Sequence, residues 1–369
     1  MPAIQETKSP ALFDEDAHDY DSVLVVSFGG PEGPDDVMPF LDNVLRGLKL
    51  PPPVKARIAE RYDAFGGVSP INAHTRAFIE ALRQELTTQG PDLPVYWGNR
   101  NWHPLLADTV RQMAADGVKR AIAYVTSTFS SYSGCRKYRE DLYEAAAGLE
   151  GAPVIDKLRQ GYNHPGFIEA MTERVRDAFA EIDASQRGDA ALLFTAHSLP
   201  LSMARHTAYQ AQLEESCALV AERLGLARWE LVYQSNNASY GEPWLAPDIG
   251  DALATVAGRG ARDAVVAPIG FVCDHMEVVL DLDVEARAKA EELGLTMVRA
   301  ATVGTHAAYV GMVRELIVER RSANPQRPAL GTRGPNHDFC PADCCLSGRP
   351  GEPKPSLCAA PPASETGTP

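Results

Sequence analysis

Short apolar runs of strand length recur along this chain, and each is followed by a segment whose apolar residues are spaced for a helix. The first run, Ser22–Ser27 (SVLVVS), reads as a strand buried on both faces. After it, Val37, Phe40, Leu41, Val44 and Leu45 fall on one helical stripe over 35–46, and Gly47 suits a C-terminal cap. Further strands are predicted at 95–97, 120–126 and 153–156, interleaved with helices at 74–86, 105–116, 137–147 and 165–182. A second series repeats the plan, with strands at 191–196, 230–234, 264–269 and 296–299 between helices at 205–224, 247–257, 275–292 and 305–320. Alternation of this length implies parallel sheets with helices on both faces. At 369 residues the chain exceeds the usual single-domain size. The expected fold is therefore α/β, with two doubly wound Rossmann-like domains (21–185 and 186–321), each holding a four-stranded parallel sheet. An acidic leader, 1–20, precedes them, and a tail rich in Pro and Gly, 322–369, follows.

A formal charge of −14 excludes a basic surface for nucleic-acid backbone or anionic lipid. No apolar stretch reaches the roughly 18–20 residues of a spanning helix. The first twenty residues lack the basic start and apolar core of a signal peptide, so the cytoplasm is the expected compartment. Seven cysteines are an odd number, and in a reducing compartment they read as thiols or metal ligands.

Chemistry is expected at the strand ends, because ligands of open α/β sheets bind just outside the carboxyl ends of the strands. The run Ala191-Leu-Leu-Phe-Thr-Ala196 delivers His197, and Ser198-Leu199-Pro200 turns the chain away. His197 is either a core histidine or a neutral imidazole able to bind a divalent metal or accept a proton. The run 264–272 ends in Cys273-Asp274-His275-Met276-Glu277. This reads as a capping box with Asp274 at N-cap and Glu277 at N3. Glu277, Asp281 and Glu285 also recur at i, i+4 and i+8, which is either a solvated face or a carboxylate ladder for a hard cation. The loop 234–247 carries Tyr240 and Trp244, suited to a flat apolar ligand or to packing. Phe28-Gly29-Gly30-Pro31 is neither a Walker loop nor a dinucleotide fingerprint, and no nucleophile elbow occurs. The tail holds Cys340, Cys344, Cys345 and Cys358, a soft-ligand set for zinc or an iron–sulfur centre. A two-iron [2Fe–2S] cluster requires four thiolates, and a fourth ligand could come from Cys135 in the folded body or from Cys358. A segment this poor in apolar residues stays disordered unless something staples it. Cys217 reads as a buried helix position.

Five stretches occur in order: SFGGP (27–31), RYDAFGGVSP (61–70), TAHSLP (195–200), EPWLAPD (242–248) and PIGFVCDHMEVVLDLD (268–283). Over about 22–320 the chain resembles the ferrochelatases, and most of all those that act on coproporphyrin and carry an iron–sulfur cluster. The resemblance implies a chelatase-like pair of domains around a macrocycle. It further implies insertion of ferrous ion into coproporphyrin III to give coproheme, with protoporphyrin IX as the alternative substrate and a downstream enzyme of heme biosynthesis as a partner. Carried over, His197 is the pyrrole-side histidine and Glu277 its paired acid, both reaching Fe²⁺, with Asp281 and Glu285 on the iron path. Arg46, Arg61, Ser69 and Tyr138 match positions that hold the porphyrin or its propionates, Tyr138 across a one-residue gap. Phe28 stands where some relatives place a tyrosine near the metal. A two-domain protein that captures a metal or tetrapyrrole without turnover is the rival reading.

Overall fold

The structure, a computed structural model, describes residues 19–47, 52–236 and 241–357. The first sheet is built from β1 (Ser22–Ser27), β2 (Val95–Asn99), β3 (Arg120–Val125) and β4 (Val154–Lys157), all parallel in the order β2-β1-β3-β4. The second repeats that order with β5 (Ala191–His197), β6 (Glu230–Gln234), β7 (Asp263–Ala267) and β8 (Thr296–Arg299), as β6-β5-β7-β8. The architecture is the expected pair of doubly wound sheets. The order reverses between β1 and β3, and again between β5 and β7, so each sheet has one crevice at its carboxyl end.

The strands divide their side chains by a period of two. Val23 and Val25 face a core shared by both sheets, while Leu24 and Val26 face α4 (Leu106–Ala115) and α5 (Lys137–Ala146). In the second sheet Leu192 and Phe194 join the shared core, and Leu193 faces α9 (Ile249–Gly258). The shared core is closed by helices that cross between the sheets. Following β4, α6 (Pro165–Glu181) packs on β7, β8 and α8 (Tyr209–Leu224). The last helix, α12 (Ala307–Arg320), returns to α6 and to α3 (Ile71–Gln89). Two connecting helices, α1 (Pro34–Val44) and α2 (Pro52–Asp63), stand between β1 and α3. Gly67, at φ +75°, turns the chain beneath α1, where a Cβ would lie 2.4 Å from the Pro34 Cα.

Two expected helices differ. The helix expected at 205–224 starts late: Pro200 begins a short α7 (Leu201–Ala204) ahead of it, 205–208 is a turn, and α8 starts at Tyr209, whose amide donates to the Thr207 hydroxyl. The segment 275–292 runs as α10 (Met276–Val278), a π-helix (Val279–Ala286) and α11 (Arg287–Glu292). A second π-helical turn, Tyr132–Arg136, precedes α5. Cys217 is fully buried in α8. No helix among the described residues is long and apolar enough to cross a membrane.

The tail is irregular over 322–357 but is held by buried guanidinium groups. Arg136 donates to the carbonyls of Ala342 and Lys354, and Arg139 to those of Leu357 and Cys340. Asn163 reaches the carbonyls of Leu330 and Gly334. These bonds satisfy backbone polar groups that no apolar burial could order.

Candidate active site

His197 is the last residue of β5, at the crevice between β5 and β7. Its Nδ1 contacts the Ser198 carbonyl, an acceptor, so Nδ1 keeps a proton and Nε2 is the nitrogen that gains or loses the other. Beyond β7, Gly270 donates its amide to the Thr195 carbonyl and passes directly against β5. A Cβ at Gly270 would lie 2.6 Å from the Ala196 Cβ, so only glycine allows this approach. The chain then rises through 271–275 and sets Glu277 Oε2 3.5 Å from His197 Nε2. Both groups stay open to solvent, with side-chain exposures of 32% and 52%.

The pair polarises strongly. Burial works to lower the His197 pKa, but the hydrogen bond and charge of Glu277 outweigh it and raise the value to about 9. Burial works to raise Glu277, yet His197, with help from His275 and Arg61, takes it down to about 2. At neutral pH the free site therefore holds an imidazolium beside a carboxylate. Asp281 is 8% exposed and shifts the other way. Burial, opposed by the Ser235 hydroxyl and reinforced by Glu277 and Glu285, raises it to about 6. Ser235 holds the left-handed backbone at φ +58° just past β6, and its hydroxyl bonds the Asp281 carboxylate.

Glu277, Asp281 and Glu285 share one cavity of about 220 Å³ with Arg61, Asp248 and Lys289. The carboxylate ladder expected from the sequence thus faces a cavity. Arg61 arrives from α2, on the far side of the cleft. Its neighbour Tyr62 is pushed well up by burial and then by the Glu277 charge, so α2 faces this acid. The capping box differs from expectation. His275 is the N-cap, its Nδ1 accepting from the Glu277 amide at 3.2 Å, because Asp274 is taken by Arg299.

The remaining expected residues lie elsewhere. Ser69 is buried over Gly30 past β1, and exposed Arg46 donates to Asn43 Oδ1 at 2.6 Å. Tyr138 is buried in α5 with the Arg100 guanidinium 4.7 Å above its ring. None of the three lines the acidic cavity. Phe28 packs 6.3 Å from Phe40 and 5.5 Å from the Arg100 guanidinium. Sequence reasoning missed His275, which caps Glu277, and the cavity-lining Asp248 and Lys289. Asp248 had a usable signal, as the last residue of the 242–248 stretch.

A second donor cluster joins the tail to α5. Cys344 Sγ lies 3.5 Å from Cys345 Sγ and 3.8 Å from His337 Nε2. The ligand atoms of His337, Cys340 and Cys344 all fall within 4.8 Å of one another. Cys135, in the π-helical turn before α5, hydrogen-bonds Cys340. That bond is the leading cause that pushes its thiol well up, followed by burial, against the pull of Lys157 and Arg139. Cys358 lies outside the described residues.

Fold and site together define a class: a doubly wound α/β protein with a cleft-side imidazole–carboxylate pair backed by acids, the chelatase arrangement. The same fold occurs in SirB from Bacillus subtilis solved with Fe³⁺, at TM-score 0.54 and 10% identity over 82% of this chain and 98% of that one. The ferrochelatase family profile matches residues 20–321. A ferrochelatase of Rhodopirellula baltica is 53% identical over 89% of this chain and 93% of its own. A coproporphyrin III ferrochelatase of Streptomyces coelicolor is 47% identical over 91% and 96%. The chain belongs to the ferrochelatase family.

Proposed function

We propose that this enzyme inserts ferrous ion into coproporphyrin III, with His197 and Glu277 as the catalytic pair. The observation that carries the site reading is the 3.5 Å contact between them, beside the acid-lined cavity. Metallation exchanges two pyrrole protons for Fe²⁺, so the site must strip water from a dication and accept protons. Hard carboxylates at Glu285, Asp281 and Glu277 suit stepwise loss of water. A dication arriving at Glu277 competes with the imidazolium for that carboxylate and lowers the His197 pKa. Arrival of the metal therefore drives the Nε2 proton off to water in the open cleft, and the freed Nε2 becomes the base that takes a pyrrole proton. Asp281, with a pKa of about 6, is placed to carry the second proton outward.

Arg46 and Arg61 are exposed cations suited to propionates, of which coproporphyrin has four and protoporphyrin two. Ser69 and Tyr138 belong to the same proposed macrocycle-binding set. Side-by-side turnover on the two porphyrins tests the substrate: faster metallation of coproporphyrin III is expected, and a preference for protoporphyrin IX overturns it.

We further assign Cys135, Cys340, Cys344 and Cys345 as ligands of a [2Fe–2S] cluster. Their thiols converge, all four in one hydrogen-bonded sequence from Cys135 through Cys340 and Cys344 to Cys345, beside the cationic Arg139 and Lys157, which suit a net-negative thiolate centre. When bound, the cluster supplies covalent cross-links in place of shared thiol protons. His337 is the donor that would serve a zinc ion instead, and a colourless protein carrying zinc would overturn the assignment. Free thiols suit a reducing cytoplasm, and the product passes to a downstream enzyme of heme biosynthesis.

A further inference from the structure

Five carboxylates, Asp274, Glu277, Asp281, Asp283 and Glu285, crowd the short stretch around the 279–286 π-helix. Left alone they would repel one another and splay the helix. Three of them face the cavity. The other two are gathered by Arg299, the last residue of β8. Its Nε and Nη2 donate to Asp283 at 2.6 and 2.9 Å, and its Nη1 and Nη2 donate to Asp274 at 3.2 and 3.0 Å. The guanidinium is 14% exposed, and its partners are 17% and 26% exposed. Paired, fork-shaped bonds of this kind fix direction as well as distance.

The two anchors bracket Glu277 and Asp281, and the second lies just ahead of Glu285. Asp274 precedes the N-cap residue His275 and lies three positions before Glu277, and Asp283 lies two after Asp281 and two before Glu285. Arg299 itself is held in the sheet, opposite Val266 of β7. We infer that Arg299 is the positioning residue of the metal approach: it ties the acid-bearing segment to the sheet at two points, Asp274 ahead of α10 and Asp283 within the π-helix, and so sets the spacing of Glu277, Asp281 and Glu285. A lysine could not serve, because one ammonium cannot present parallel donors to two carboxylates. This rests on the proposed role of the His197–Glu277 site.

The test is Arg299→Ala, assayed anaerobically with ferrous ion and porphyrin varied separately. The expected result is a rise of tenfold or more in KM for ferrous ion, with porphyrin KM changed less than twofold. Free guanidinium at a non-denaturing concentration should recover most of the loss, and sodium chloride at equal ionic strength should not. An unchanged ferrous KM, or equal losses in every parameter without rescue, overturns the inference. Should Arg299→Ala not fold, Asp274→Asn removes one arm only, and the same split in KM is expected; its absence is decisive against. His197→Ala run in parallel separates the two readings, since full turnover there defeats the site assignment, whatever Arg299 does.

Discussion

His197 keeps a proton on Nδ1 and points Nε2, the nitrogen that titrates, at Glu277, and this arrangement fixes the pH response. With its pKa at about 9, the base form is the minority at neutral pH and grows as pH rises. Turnover expressed as kcat/KM should climb from pH 6 to pH 9. Glu277→Gln removes the group that raises the value, so the ascending limb should move to lower pH in an initial-rate profile. Stability should respond with the opposite sense at the alkaline end. The raised His197 pKa contributes stability that is complete below 6.5 and fades as pH rises through about 9. The lowered Glu277 pKa contributes stability that is complete above 4.5 and fades as pH falls through about 2. The Tm difference between the native chain and His197→Ala should therefore be largest between pH 4.5 and 6.5. Solvent exposure of both groups keeps that difference small. For catalysis, His197→Ala should cost about 10²–10⁴-fold in turnover, the usual worth of a general base, while porphyrin fluorescence quenching still reports binding.

At the scale of elements, the site depends on the segment between β7 and the π-helix, which crosses β5 at Gly270. Gly270→Val should push this crossing off Ala196, since the added Cβ has only 2.6 Å to its neighbour. A loss of about 1–3 kcal/mol in urea unfolding is expected, the usual cost of overpacking, together with a fall in turnover as Glu277 leaves His197. The strand ends were legible because the run before His197 carries no charge and only one hydroxyl, Thr195, and the turn after it is written in Ser198-Leu199-Pro200. The interruptions were not. An α-helix and a π-helix share the same apolar stripe over a few residues, so the spacing of Glu277, Asp281 and Glu285 fits both. By composition Asp274 is the better cap, and it was Arg299, a residue of another strand, that took Asp274 away and left the role to His275.

Across the whole molecule, the tail and the body meet at the cysteine cluster. On the proposed [2Fe–2S] assignment, Cys344→Ser should bleach the thiolate-to-iron absorption and speed proteolysis within 322–357. Urea unfolding of the two sheets should hardly change, because among the described residues their cores take only Leu357 from the tail as a buried apolar side chain, with Leu330 packed alongside. A tail that stays protected without its metal would show that Arg136, Arg139 and Asn163 suffice to hold it. The contact of Cys135 with Cys340 spans most of the chain and is mediated by no local pattern. Only the choice of a strand-end loop as the place for a fourth ligand was available from the sequence.

Local periodicity, read over ten residues or so, was enough to determine the strands, most of the helices and the delivery of an imidazole and a carboxylate to strand ends. Steric rules of parallel sheets then bring both to one crevice. The 3.5 Å between them, the proton they share and the acids that line the cavity were decided only by tertiary packing. So were the crossings of α6 and α12 between the sheets. The physical reason is one of range: helix and strand are set by neighbours in sequence, whereas a pKa is set by whatever charge and burial the folded chain assembles around a group.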